Sequence, residues 1–150
     1  MSTFKLPPDL IHNRGKIADP AAFAREHQAS SWLYLCGSEF ASMEGGMSYS
    51  QVQAAVGQSA NVITDPPREL DLALARQHVA ALDELPRPTL VTCRAGPRSS
   101  AVVYLYAALK SGAAIDDVLE AAERDGAPFC KVEEAKAWVR SSLETLRRER

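Results

Sequence analysis

Cysteine and histidine are both scarce in this chain of 150 residues, with three of each. An odd number of cysteines, at positions 36, 93 and 130, builds no disulfide framework and shows no zinc-ligand spacing. His12, His27 and His78 are too scattered for a metal motif, so neither a metal nor a cofactor is expected. Free thiols point to a reducing compartment, the cytoplasm or an organelle reached after removal of a targeting peptide. Aromatic residues make up only 7% of the chain; Trp32 and Trp138 read as packing anchors, and His78 as a surface residue of a helix. Charge of one sign is missing too. The 17 basic residues against 19 acidic ones leave a formal net charge of −2, which gives no footing for nucleic acid or an acidic membrane as partner. The closing Arg147-Arg148-Glu149-Arg150 suits the negative end of a helix dipole. No apolar run approaches the roughly 20 residues of a membrane span, and residues 1–8 lack the apolar stretch of a signal peptide. What remains is a chain that is 46% hydrophobic and 24% charged, the composition of an ordinary soluble protein. Its length fits one domain, 1–150, with a core over about 9–146.

The periodicity predicts strands alternating with helices. Leu10-Ile11 reads as a short edge strand. Asp19-Pro20 opens a helix running to about His27, an acidic N-cap followed by proline at the first helical position, with Phe23 inward. Residues 32–36 form a compact strand ended by Gly37-Ser38. Residues 39–47 have no period and read as a loop, after which Ser48 or Ser50 caps a short helix through Val56. Residues 61–64 are a third strand, broken off by Asp65-Pro66-Pro67. Leu70, Leu74, Val79 and Leu82 predict a helix over about 70–84, ending before Pro86 and Pro88. Residues 89–92 are β-branched and apolar, a buried strand. Residues 101–109 are apolar on nearly every side, which predicts a buried helix to about Lys110. Further helices open at Asp116-Asp117 and at Lys131, the last with Val132, Ala135, Val139, Leu143 and Leu146 as its apolar stripe. This order predicts an α/β fold: a central, mostly parallel sheet of about four strands flanked by helices. Ligands of such sheets bind at strand carboxyl ends, and Cys93 lies there.

Cys93 stands at the tip of its strand, and a tight loop returns the chain to the first turn of the buried helix. Unpaired N–H groups and the positive end of the helix dipole face back at the sulfur. Arg94 and Arg98 add two cations. Both effects favour an anionic, nucleophilic sulfur. Cys93 is therefore the candidate nucleophile, and Arg94, Ala95, Gly96, Pro97, Ser99 and Ser100 are the candidate anion-binding loop. Arg98 is the better candidate for gripping the anion bidentately, whereas Arg94 has the alternative of facing solvent. Ser99 suits a helix N-cap. Cys36, ending a neighbouring strand, is a candidate resolving thiol or else a small core residue; Cys130 reads as structural.

The stretch Cys93-Arg94-Ala95-Gly96-Pro97-Arg98-Ser99 resembles two kinds of active loop. Cysteine-dependent protein tyrosine and dual-specificity phosphatases carry a strand, a Cys-x5-Arg-Ser/Thr loop and a helix. Rhodanese-like sulfurtransferases carry the shorter Cys-Arg-x-Gly-x-Arg, and that is the spelling here, with four residues between Cys93 and Arg98. Over about 9–146 the order of elements resembles a phosphatase-like family fused to metallo-β-lactamase-type hydrolases and to sulfur-oxidising enzymes, some of whose members are described as sulfurtransferases. The resemblance to phosphatases implies an acid on a loop ahead of the cysteine, and Asp65, 28 positions before Cys93, falls there. The residues of a plain strand-ending turn would look the same. It also implies that Ser99 is the hydroxyl that steadies the departing thiolate. Thr92 departs from the histidine usual before the cysteine.

Loop length has a chemical consequence. A phosphoryl dianion needs N–H groups for three oxygens, and a loop one residue shorter, with Pro97 lacking its N–H, offers fewer. Such a bowl suits the single terminal sulfur of a persulfide. The expectation is thus a sulfurtransferase that carries sulfane sulfur as a Cys93 persulfide from a small anionic donor to a thiol acceptor. The alternative is a phosphatase acting on a phosphorylated substrate through a phosphocysteine, with Asp65 as general acid. A third possibility is an anion-binding module without turnover.

Overall fold

Two short runs, Ser31–Tyr34 and Thr89–Thr92, are buried at every position, and they form the middle of the sheet. In the computed structural model, which describes residues 4–149, four parallel strands lie in the order β1-β4-β2-β3. They are β1 (Leu10–His12), β2 (Ser31–Tyr34), β3 (Gln58–Asn61) and β4 (Thr89–Thr92). Near-continuous apolar or β-branched sequence is what a strand covered on both faces requires. Seven helices complete the fold among the described residues: α1 (Pro20–Glu26), α2 (Ser38–Ala41), α3 (Tyr49–Ala55), α4 (Leu72–Glu84), α5 (Pro97–Ser111), α6 (Ile115–Asp125) and α7 (Glu133–Arg148). A 3-10 turn at Pro128–Lys131 joins the last two. This is the expected α/β architecture.

The alternation of side chains along β2 and β4 divides the core between the two faces of the sheet. Trp32, Tyr34 and Leu90 pack with Ala24, Phe40 and Val52 on one face. Leu33, Leu35 and Val91 pack on the other against α4, α5, α6 and α7. Side-chain caps set three helix starts: Asp19 accepts from Ala22 N–H, Ser48 forms a reciprocal capping box with Gln51, and Asp71 accepts from Leu74 N–H. On the second face α5 is enclosed from Ser99 to Leu109 without interruption. The polar tips of its two tyrosines escape the apolar interior by donating to carboxylates, Tyr104 to Asp125 and Tyr106 to Asp83, each at 2.7 Å. The loop that follows β4 therefore rests on the most deeply packed helix among the described residues.

Three expectations need correction. The third strand lies at Gln58–Asn61, not 61–64. It is an edge strand, specified by backbone pairing to β2 rather than by apolar side chains, so its polar sequence gave no strand signal. Residues beyond it leave the sheet but stay tied to the end of β2, with Thr64 N–H and Asp65 N–H both donating to Leu35 O, at 2.8 and 3.1 Å. The stretch 39–47 is not all loop, because α2 forms there to bury Phe40. His78 is not on the surface. Helix α4 turns Ala75, His78 and Leu82 inward, so the buried stripe is rotated from the one that Leu74 and Val79 suggested. His78 Nε2 lies 2.8 Å from Thr64 Oγ1, and the ring meets Trp138 edge-on at 5.7 Å. Burial drives its pKa down from 6.5 to about 3. No helix among the described residues is long and apolar enough to cross a membrane.

Candidate active site

Strand β4 ends at Thr92, and Gly96 caps α5, so residues 93–96 make the whole turn between them. Gly96 has φ +120°, a region that residues with a side chain rarely adopt, and a Cβ there would sit 2.6 Å from Asn13 O. Only glycine makes this turn without displacing the neighbouring chain. The turn aims two backbone donors at the sulfur: Gly96 N–H at 3.1 Å and Ser99 N–H at 3.3 Å from Cys93 Sγ. Ser99 Oγ lies 3.5 Å from the same sulfur. The N–H groups that a helix start leaves unpaired are thus turned onto the thiol. Cys93 is 4% exposed, and its opening to solvent is a cleft of about 220 Å³ lined by Asp65, Pro66, Cys93, Arg94, Ala95, Pro97 and Arg98.

Asp65 comes to this cleft from the turn after β3, and it is 1% exposed. Its Oδ1 accepts from Gly37 N–H at 2.9 Å and from Arg68 Nη1 at 3.1 Å. Its Oδ2 accepts from Arg94 Nε at 2.9 Å and pairs with Arg94 Nη2 at 2.8 Å. Arg94 also donates to Pro66 O at 2.9 Å, and its guanidinium lies 5.9 Å from the centre of the Phe40 ring. Arg98 donates to two backbone carbonyls, Thr64 O and Arg68 O. Both guanidinium groups of the loop therefore hold the Asp65 turn against α5, with Arg68 reaching outward to Glu39 at 3.0 Å.

The remaining loop residues fall into two groups. Ala95 is exposed at the rim. Ser100 Oγ donates to Gly96 O at 2.7 Å and accepts from Phe129 N–H at 3.1 Å, which fastens the helix start to the 3-10 turn. Ser99 sits inside α5, not at its N-cap, and its hydroxyl donates to Asn13 Oδ1 at 2.7 Å. Thr92 faces the opposite side of the sheet, where its Oγ1 accepts from Trp32 Nε1 at 2.8 Å. Cys36 is 1% exposed, and burial, with Asp65 and Cys93 nearby, pushes its thiol up to about 12. A thiol so reluctant to ionise is a poor nucleophile, whereas a small core residue needs nothing else. Cys130 lies in the 3-10 turn and is also raised, to about 11, chiefly by burial.

One residue of the site gave no sequence signal. Asn13, just after β1 and 2% exposed, contacts Cys93 at both its N–H and its carbonyl. In the sequence it stands in Asn13-Arg14-Gly15, which reads as an ordinary turn.

No protein-family model matches the chain, and no curated protein matches it. Solved structures do. Tk-PTP in its active form superposes with a TM-score of 0.69 at 13% identity, over 90% of this chain and 91% of that one. TpbA of P. aeruginosa gives 0.62 at 20% identity, over 94% and 85%. Human DUSP28 gives 0.62 at 15% identity, over 96% and 97%. These are cysteine-based tyrosine and dual-specificity phosphatases. At such identities the likeness concerns architecture, and what it establishes is that this chain has the phosphatase-like fold.

Proposed function

We propose that the chain is a cysteine-dependent phosphatase with Cys93 as its nucleophile. The observation that carries this reading is the meeting of Cys93 and Asp65 in one cleft, on a fold shared with phosphatases. In the proposed reaction Cys93 Sγ attacks phosphorus, the bond to the leaving oxygen breaks, and a phosphocysteine forms. Water then attacks phosphorus and releases inorganic phosphate and the thiolate. Backbone N–H groups of the loop and the Arg94 guanidinium, joined by Arg98 once it leaves the Thr64 and Arg68 carbonyls, stabilise the charge on the non-bridging oxygens. An incoming dianion competes with Asp65 for Arg94, and the carboxylate freed from that pair takes up a proton from solvent and then delivers it to the leaving oxygen.

A second reading, sulfur transfer, has its own support in the short loop. Only four residues separate Cys93 from Arg98, Pro97 offers no N–H, and Arg98 is occupied by two carbonyls. Here Cys93 attacks the outer sulfur of a donor such as thiosulfate, the S–S bond breaks, and sulfite leaves. An acceptor thiolate then takes the sulfur from the Cys93 persulfide. Two measurements on one preparation separate the readings. A phosphatase hydrolyses an aryl phosphate and loses at least about a thousand-fold in rate with Cys93→Ser. Failure to release phosphate, together with a gain of one sulfur atom in intact mass after thiosulfate, would replace the first reading by the second.

A further inference from the structure

We propose that Asn13 is a positioning residue for Cys93; the inference rests on the reading of Cys93 as the nucleophile. Every hydrogen-bonding direction of its amide is used. Nδ2 donates to Cys93 O at 3.0 Å and to Gly15 O at 2.9 Å. Oδ1 accepts from Cys93 N–H at 3.1 Å and from Ser99 Oγ at 2.7 Å. The orientation of the amide is dictated, since Cys93 N–H can only donate and Cys93 O can only accept. A flipped amide would face donor with donor and acceptor with acceptor.

The geometry gives this side chain a task that β1 does not perform. Strand β1 pairs with β4 only as far as His12 opposite Val91, which leaves the nucleophile beyond the last paired position. Asn13 continues the contact with side-chain atoms, gripping both peptide groups that flank the Cys93 Cα. That grip fixes the direction of the Cα–Cβ bond, and with it the seat of Sγ before the N–H groups of Gly96 and Ser99. The same Oδ1 draws the Ser99 hydroxyl proton toward itself, so the hydroxyl next to the sulfur is oriented as well. The chain of Asn13 in turn presses on Gly96, whose missing Cβ makes room for Asn13 O. A buried amide with all its valences met is a rigid part, not an adaptable one.

The test reads the thiol without reference to any substrate. Full-length wild type and Asn13→Asp, which keeps the size but loses both donors, are treated with iodoacetamide, and peptide mass mapping follows Cys93 and Cys130 separately alongside the thermal melt. The expected result is a roughly ten-fold slower Cys93 with Cys130 unchanged, the scale of one or two lost buried hydrogen bonds. Should Asn13→Asp not fold, Asn13→Ser reads the same ratio. An unchanged Cys93:Cys130 ratio in a folded variant, or a change shared equally by both thiols, overturns the proposal. A ratio that falls in a protein whose wild type turns over neither phosphate esters nor sulfur donors supports the positioning role while ending the proposed function. Turnover with an unmoved ratio does the reverse.

Discussion

At Asp65 one carboxylate is asked to hold a turn together and, in the proposed reaction, to deliver a proton. The two demands make separable predictions. Asp65→Asn keeps the acceptor for Gly37 N–H but leaves Arg94 and Arg68 facing an uncharged amide. The pair with Arg94 is 27% exposed on the arginine side, so the loss is moderated by solvent and should be about 2 kcal/mol in denaturant unfolding. If the carboxyl also acts as an acid, Asp65→Asn slows an alkyl phosphate much more than an aryl phosphate with a good leaving group. A uniform loss across both esters would leave Asp65 a purely architectural residue. What the sequence makes legible at this scale depends on whether a residue advertises its chemistry. Cys93 and its arginines do, through spacing alone. Asn13 does not, because its partner stands 80 positions away and its own neighbours look like any turn. His78 misleads, because a polar residue on an amphipathic helix is assigned outward unless its partner, Thr64, is known.

Among the elements, the turn from β4 into α5 carries the tightest requirement. Gly96→Ala puts a methyl group at φ +120° and 2.6 Å from Asn13 O, so strain and a backbone collision act together. The expected cost is about 2–4 kcal/mol in a chemical denaturation curve, and the surviving folded protein should show a Cys93 of altered alkylation rate. A midpoint within experimental error of wild type would mean the turn has another way to close. The two central strands and α5 are readable from sequence because burial on all sides leaves uninterrupted apolar runs. The edge strand β3 is not, since Gln58, Ser59 and Asn61 are held by main-chain pairing, and Asn61 Nδ2 adds its own bonds to Tyr34 O and Cys36 O at 2.9 and 3.1 Å. Apolar Val62 and Ile63, just past it, draw the predicted strand away from its true place.

The molecule as a whole should weaken in mild acid, and His78 is the reason. Its ring is buried neutral, with pKa about 3 in the fold against 6.5 for the free side chain. Between these values the unfolded chain binds a proton that the native chain does not. The His78 contribution is therefore complete above pH 6.5 and is lost as pH falls toward 3, by up to about 1.4 kcal/mol per pH unit. His12, lowered chiefly by burial, adds a smaller loss of the same sign. Denaturant unfolding near neutrality and at about pH 4.5 should show wild type losing roughly 2–3 kcal/mol more than His78→Gln. Equal losses would remove His78 from the account. A different constraint follows from the sealing of α5 between Ser99 and Leu109. A substitution there must be absorbed from every direction at once, whereas Pro66, Arg94 and Ala95 border open solvent at the mouth of the cleft. Changes in the shape of the cleft mouth are thus absorbed at the rim, while the seat of the sulfur stays as it was.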